Sequence, residues 1–288
     1  MSELWAPVLD WYDEHRRDLP WRGDHVSPWS VMVSEFMLQQ TPVVRVLPVH
    51  EAWLERWPTP TSLADEAAGE AVRAWGRLGY PRRALRLHAA ATVIRDEHGG
   101  SVPSTYEELL ALPGVGDYTA AAIATFAFGR RQVVLDTNVR RVLARSLSGV
   151  EFPAQSVNRT ERDLAASVLP PDEPTAATWS IATMELGALV CTASEPGCAR
   201  CPVVDLCAWQ GAGRPAYEGP ARKVQTYAGT DRQCRGRLLA VVRDADGAVA
   251  RHRLDIVWAI DDQRERALAS LLADGLLTEP EPGFYALP

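Results

Sequence analysis

Four cysteines fall within 17 residues, as Cys191-x6-Cys198-x2-Cys201-x5-Cys207. Thiolates are soft ligands, and this much sulfur in one short stretch fits a zinc ion or an iron–sulfur cluster. A disulfide framework would spread its cysteines more widely and belongs in secreted proteins. Zinc ribbons usually pair two Cys-x2-Cys units across a longer gap, and one such unit is present here. Cys234 stands apart and reads as a plain free thiol.

Two carboxylates stand in unusual settings. Glu35 lies in Val31-Met32-Val33-Ser34-Glu35-Phe36-Met37-Leu38, a helix apolar over most of its circumference. Most helical glutamates are solvated, but one buried among valine, phenylalanine and methionine is costly to ionise. Desolvation would raise its pKa and make it a proton donor near neutral pH. Asp136 opens the helix that begins Thr137-Asn138, where its ordinary role is that of an N-cap. A cap and a catalytic carboxylate are compatible, because a helix terminus holds the group rigidly.

Upstream of Asp136, Leu112-Pro113-Gly114-Val115-Gly116-Asp117-Tyr118 joins two helices. Gly114 and Gly116 would let the backbone turn tightly and approach a ligand. The free N–H groups and dipole of the following helix favour an anion such as a DNA phosphate. Alone, such a turn is more often structural.

Around these residues the first 210 positions read as successive helices, from the pattern Leu4, Trp5, Val8, Leu9, Tyr12 onward. Ser27-Pro28 and Thr41-Pro42 are start signals for helices reaching about Gln40 and Trp57. Further helices are expected over about 62–77, 82–97, 104–111, 117–128, 138–147, 156–168 and 175–190. Residues 211–220 form a Pro- and Gly-containing linker. Beyond it come helices over Gln233–Val242 and Gln263–Ala273, a shorter one near Leu254–Ile260, and strands at Gly275–Leu277 and Phe284–Ala286. The fold class is therefore all-α, followed by a small α+β, winged-helix-like module over 221–288.

Net charge is −7 with an estimated pI of 5.5, a poor bulk signature for a nucleic-acid partner. Distribution matters more. Arg73, Arg77, Arg82, Arg83, Arg86 and Arg95 occupy a stretch without acids, and Arg130, Arg131, Arg140, Arg141 and Arg145 flank Asp136. The two runs read as a phosphate-binding surface. Lys223 is the sole lysine, so no lysine amine precedes it to form a Schiff base. No apolar run spans a bilayer and the amino terminus lacks a secretory signal, which predicts a cytoplasmic protein, nucleoid-associated in a prokaryote, and no membrane partner.

From about residue 4 to 208 the order and spacing of these features resemble the helix–hairpin–helix glycosylases related to endonuclease III. The resemblance implies a [4Fe–4S] cluster on Cys191, Cys198, Cys201 and Cys207, a six-helix part over about 26–132 and a cluster-bearing part over about 1–25 and 133–210. Ser34-Glu35-Phe36-Met37-Leu38-Gln39-Gln40-Thr41, Trp75-Gly76-Arg77-Leu78-Gly79-Tyr80 and Met184-Glu185-Leu186-Gly187-Ala188-Leu189-Val190-Cys191-Thr192 are similar to the A/G-mismatch adenine glycosylases, the MutY family. That resemblance implies that Glu35 protonates the adenine ring and Asp136 stabilises the oxocarbenium-like sugar. It further implies that Asn138 and Tyr118 orient the site, Gln40 and Tyr80 wedge into the duplex, and Arg22 lines the adenine pocket. The extruded base is needed because its reacting atoms are inaccessible in a stack. The partner would be double-stranded DNA carrying an adenine mismatch, and the protein a monomer.

Lyase-competent relatives carry their lysine where Tyr118 stands, so the enzyme is expected to be monofunctional. Ile181 replaces a glutamine or glutamate that contacts adenine in many members, and Pro81 replaces a second tyrosine. The loop tip, Thr192 to Gly197, carries no basic residue, and the usual Nudix-like C-terminal domain is not recognisable. Rival readings are a thymine or uracil mismatch glycosylase, which would not need a proton donor at Glu35, and a non-catalytic iron–sulfur DNA-binding protein.

Overall fold

The computed structural model describes residues 3–23, 25–219 and 227–288. Pro220 at the end of the expected linker, the start of the C-terminal module and Lys223 lie outside the described residues. The chain divides into two compact units, Met1–Met32 with Ser104–Ala111 and Val115–Ala221, and Val33–Pro103 with Leu112–Gly114 and Arg222–Pro288.

The helices are α1 (Trp5–His15), α2 (Pro28–Leu38), α3 (Val43–Arg56), α4 (Pro60–Ala64), α5 (Ala68–Trp75), α6 (Arg82–Glu97), α7 (Tyr106–Ala111), α8 (Asp117–Phe128), α9 (Thr137–Ser146), α10 (Arg159–Ser167), α11 (Glu173–Leu189) and α12 (Ala208–Gly211). Ser27 caps α2 by accepting from the Ser30 N–H at 3.2 Å. The single helix expected over 62–77 is two. A reciprocal Thr59–Ser62 capping box starts α4 early, and α5 begins afresh after Asp65 and ends at Gly76, whose φ is +58°.

In the first unit, Val8, Trp11 and Tyr12 of α1, Val139, Val142 and Leu143 of α9, and Ala176, Trp179, Ala182 and Leu186 of α11 share one core. A smaller cluster joins Ala121 and Ala122 of α8 to Val134, with Tyr106, Tyr118, Phe126 and Met184 packed against it. In the second unit the Trp53 ring meets Trp57 and Trp75 edge-on, with centroids 4.7 and 5.8 Å apart.

The C-terminal module runs α13 (Asp231–Arg243), β1 (Val249–Ala250), α14 (Arg251–Asp255), α15 (Asp261–Ala273), β2 (Thr278–Glu281) and β3 (Phe284–Ala286), and its antiparallel sheet has the order β1-β3-β2. The strand expected at Gly275–Leu277 is not one. Gly275, with φ +68°, ends α15, and the Leu276 and Leu277 N–H groups donate back to Leu271. Thr278–Glu281, between the two expected strands, is instead β2, whose edge position tolerates Pro280, and the chain reverses at Gly283. Cys234 is fully buried in this module as a free thiol.

Within the second unit, arginines fasten the module to α5 and α6. Arg73 donates to the Arg243 and Ala245 carbonyls, Arg243 donates to the Gly76 carbonyl at 2.7 Å, and Asp274 pairs with both Arg82 (3.2 Å) and Arg235 (2.6 Å).

Candidate active site and cysteine loop

Asp136 is the N-cap of α9, as its position indicated. One carboxylate oxygen accepts from the Asn138 and Val139 N–H groups at 2.9 and 2.6 Å, and the other from the Asn138 amide at 2.7 Å. Burial pushes its pKa up, and these three hydrogen bonds and the Arg141 charge only partly offset that. The orientation of the Asn138 amide is forced, because Arg141 can only donate. Arg141 Nη2 donates to Asn138 Oδ1 at 2.8 Å and to the Gly187 carbonyl at 2.6 Å, while its Nε donates to the Cys191 carbonyl at 2.6 Å. A polar chain therefore runs from Asp136 through Asn138 and Arg141 to the first cysteine of the loop.

Gly187 makes this arrangement possible. A Cβ there would lie 2.7 Å from Asn138 Cβ and 2.8 Å from its carbonyl oxygen, and the backbone of α9 cannot yield cheaply. Gly187→Ala should displace Asn138 and destabilise the protein by about 1–3 kcal/mol in chemical denaturation, the usual cost of forcing atoms into a packed site.

Tyr118 lies on α8 and packs against the cluster of Ala121, Ala122 and Val134, the last of which stands two residues before Asp136. At the hairpin the two glycines differ. Gly114 has φ +78°, and a Cβ on it would lie 2.6 Å from Arg86 Cβ. Gly116 has φ −110°, open to any residue, so the turn itself does not require it. Nothing lies within 4 Å of a Cβ built there.

Arg22 is half of a clamp. Its Nη1 donates to Glu185 Oε2 at 2.8 Å, while Arg17 Nε and Nη2 grip the same carboxylate at 2.7 Å each. Burial would raise the Glu185 pKa, but the two guanidinium groups outweigh it and bring the value down to about 2. A lowered carboxyl pKa adds stability above the ordinary carboxylate range, and this is lost as pH falls toward 2. Glu185→Gln should destabilise the fold by about 2 kcal/mol at pH 7, less than for a fully buried pair because Arg17 is 33% exposed and rehydrates. In chemical denaturation at pH 3 and pH 7, the gap to the parent should shrink at the lower pH.

In the second unit Glu35 on α2 is 5% exposed, as its apolar surroundings required. Further along, Gln40 and Tyr80 have φ of +55° and +48°, two of three non-glycine residues with positive φ among the described residues. Such backbone strain persists only where the surroundings impose it. Arg83 imposes it here. Buried at 6% exposure, it donates to the carbonyls of Phe36, Met37, Gln39 and Gly79 and to Thr41 Oγ1. It thus binds the residues that precede Gln40 and Tyr80 into one knot.

Most of the arginines in the two runs, Arg83 included, are held by partners within the protein rather than forming the expected phosphate surface. Arg141 and Arg145 are buried, Arg140 pairs with Glu161 at 2.7 Å, Arg130 with Glu173 at 3.6 Å, and Arg131 donates to the Leu169 and Pro170 carbonyls. Arg73 and Arg95 pair with Glu70 and with Asp65 and Asp96. A rigid five-donor guanidinium is suited to tying up several carbonyls at once, so arginine-rich helices here are largely framework. Arg77 and Arg86 are exposed.

Around the cysteines, Arg145 is 2% exposed and donates to Cys191 Sγ at 3.4 Å and to the Thr192 and Ala193 carbonyls, with its guanidinium 4.8 Å from the Trp209 ring centroid. Cys201 lies within electrostatic reach of Cys191, Cys207 and Cys198, and burial pushes its thiol up to about 11. Among the described residues no three His, Cys, Asp or Glu side chains are grouped to hold a single metal ion. The four thiols lie near one another with the buried Arg145 guanidinium beside Cys191, a soft donor set suited to a metal centre.

Residues 33–167 match the profile of the HhH-GPD superfamily base excision DNA repair protein. The chain is 54% identical over 283 residues to an adenine DNA glycosylase of Mycobacterium tuberculosis, covering 98% of this chain and 92% of that protein. The chain belongs to the adenine DNA glycosylase family. A second member, from Mycolicibacterium smegmatis, is 54% identical over 289 residues, covering all of this chain and 97% of that protein. The solved structure of a thermostable thymine-DNA glycosylase superposes with a TM-score of 0.64 at 26% identity, over 72% of this chain and 94% of that one. The fold is thus the mostly helical HhH-GPD fold, and no helix among the described residues is long and apolar enough to cross a membrane.

Proposed function

We propose that the protein is a monofunctional DNA glycosylase of base excision repair that hydrolyses the N-glycosidic bond of adenine mispaired with 8-oxoguanine or guanine. The observation that carries this reading is the buried Glu35 on an otherwise apolar helix, in a chain 54% identical to adenine DNA glycosylases over nearly its whole length. Adenine departs poorly as an anion. A carboxyl proton delivered to its ring nitrogen lets it leave neutral as the bond to the sugar breaks and the bonding pair goes to the base. The Asp136 carboxylate then stabilises the developing oxocarbenium charge, and water adds to the sugar carbon as its proton passes to the carboxylate left on Glu35, restoring the acid. Asn138 holds the Asp136 carboxylate, Tyr118 and Arg22 shape the site, and Gln40 and Tyr80 enter the duplex as the base is extruded. A thymine or uracil glycosylase has less support, since the thymine-DNA glycosylase is 26% identical.

The DNA partner is gripped, in this reading, at the Gly114–Gly116 hairpin and by exposed Arg77 and Arg86 rather than by both arginine runs. The protein acts as a monomer in the cytoplasm, at the nucleoid. The glycosylase region is built of a six-helix part over about 26–132 and a cluster-bearing part over about 1–25 and 133–210. The α13-β1-α14-α15-β2-β3 order with sheet β1-β3-β2 supports a winged-helix-like module, and the match to the mycobacterial relatives extends through it. Cys191, Cys198, Cys201 and Cys207 would hold a [4Fe–4S] cluster, which when bound fixes the loop and leaves the base chemistry to the carboxylates. Purified protein is expected to contain iron and sulfide in equal amounts, and stoichiometric zinc without iron would rule the cluster out.

The proposed reaction is tested by incubating the protein with a duplex carrying adenine opposite 8-oxoguanine. Free adenine should appear by chromatography, with a strand that breaks only after alkali. Strand cleavage without alkali would contradict a monofunctional enzyme.

A further inference from the structure

In the C-terminal module, Arg232 lies over the exposed ring of Tyr80. Tyr80 is 43% exposed and held at positive φ. Two guanidinium carbons lie over its ring, that of Arg83 at 5.2 Å from the centroid and that of Arg232 at 4.7 Å. Arg83 is immobilised by its carbonyl bonds. Arg232 differs from it, being exposed on the first turn of α13 and having no ion pair among the described residues. Its second neighbour is again aromatic, the Tyr227 ring at 5.9 Å. The same end of α6 is tied to the module by the Arg82–Asp274–Arg235 pairs, so α13 cannot drift from Tyr80 without breaking them.

We propose that Arg232 is a positioning residue for duplex opening, its guanidinium stacked on Tyr80 to hold the ring at the angle at which it enters the base stack. A flat cation is suited to this. It attracts the ring face, and unlike a packed aliphatic side chain it loses little by being exposed to water when the ring moves into DNA. The module would thereby couple its own seating to lesion opening. The inference rests on the reading of Tyr80 as a wedge.

The test uses the full-length protein and a duplex whose target adenine carries a 2′-fluorine to block cleavage, with 2-aminopurine as its neighbour. The fluorescence rise at saturating protein reports unstacking apart from affinity. Arg232→Ala should lower that rise two- to fivefold, the range for loss of an exposed cation–π contact, and Arg232→Lys should lie between it and the parent. Tyr80→Ala should lower the rise further, and adding Arg232→Ala to it should do no more. Thermal melting should be unchanged in the Arg232 variants, since the side chain is exposed. Parent-like unstacking by Arg232→Ala, with Tyr80→Ala impaired, would overturn the inference alone. So would a loss confined to affinity with a salt slope lower by about one, the signature of a plain phosphate contact. Parent-like unstacking by Tyr80→Ala would overturn both the inference and the wedge reading beneath it.

Discussion

Asp136→Asn should lower the single-turnover rate of adenine release by roughly a hundredfold to ten-thousandfold, while leaving stability within about 1 kcal/mol of the parent. The two halves of that expectation come from one geometry. Asparagine is as good an N-cap as aspartate, so an oxygen remains for the Asn138 and Val139 N–H groups. The hydrogen bond from the Asn138 amide is lost, but so is a charge that burial disfavours. What asparagine lacks is the negative charge opposite a cationic sugar. The sign of the pH dependence follows from the raised pKa. The parent should lose activity as pH falls and the carboxylate is protonated, with a midpoint above the ordinary 3.8, and the variant should lack that limb. A raised carboxyl pKa also makes the ionised group a cost to the fold at neutral pH, so the variant should compare better with the parent at pH 7 than at pH 4. A variant that melts far below the parent, or loses less than tenfold in rate, would reduce Asp136 to a cap.

Glu35→Gln should cost a similar factor, by a different route. Glutamine fills the same volume and keeps a polar head among buried apolar neighbours, so α2 should fold as before. It cannot deliver a proton to the departing base. The loss should therefore be largest for adenine and smaller for a purine that departs readily unprotonated, a comparison that single-turnover kinetics on two duplexes would give. An equal loss on both would mean that Glu35 shapes the site and transfers no proton.

Much of the site was legible because its signals are local. The cysteine spacing, the cap position of Asp136, the turn glycine Gly114 and the apolar setting of Glu35 each lie within a few turns of chain. Glu185 was not legible as a structural centre, since the arginines that clamp it are more than 160 residues away in sequence. Arg83, Arg141 and Arg145 misled for the same reason. Their carbonyl partners are invisible to charge counting, and a buried arginine reads like a surface one. A local clue did exist for Arg83, which follows helical spacing with buried Leu87, Ala90 and Ile94 on α6. Gly187 had a sharper one, being a glycine inside a long helix, where it usually marks a close backbone approach. The shifted β2 strand turned on Gly275, whose positive φ closes α15. Periodicity does not reveal that the following leucines cap a helix rather than begin a strand.

The most direct measurement of the central claim is base release from three duplexes under single-turnover conditions, carrying adenine opposite 8-oxoguanine, adenine opposite guanine, and thymine opposite guanine. The account predicts that adenine is released from the first two and thymine is retained in the third. Release of thymine alone would contradict it.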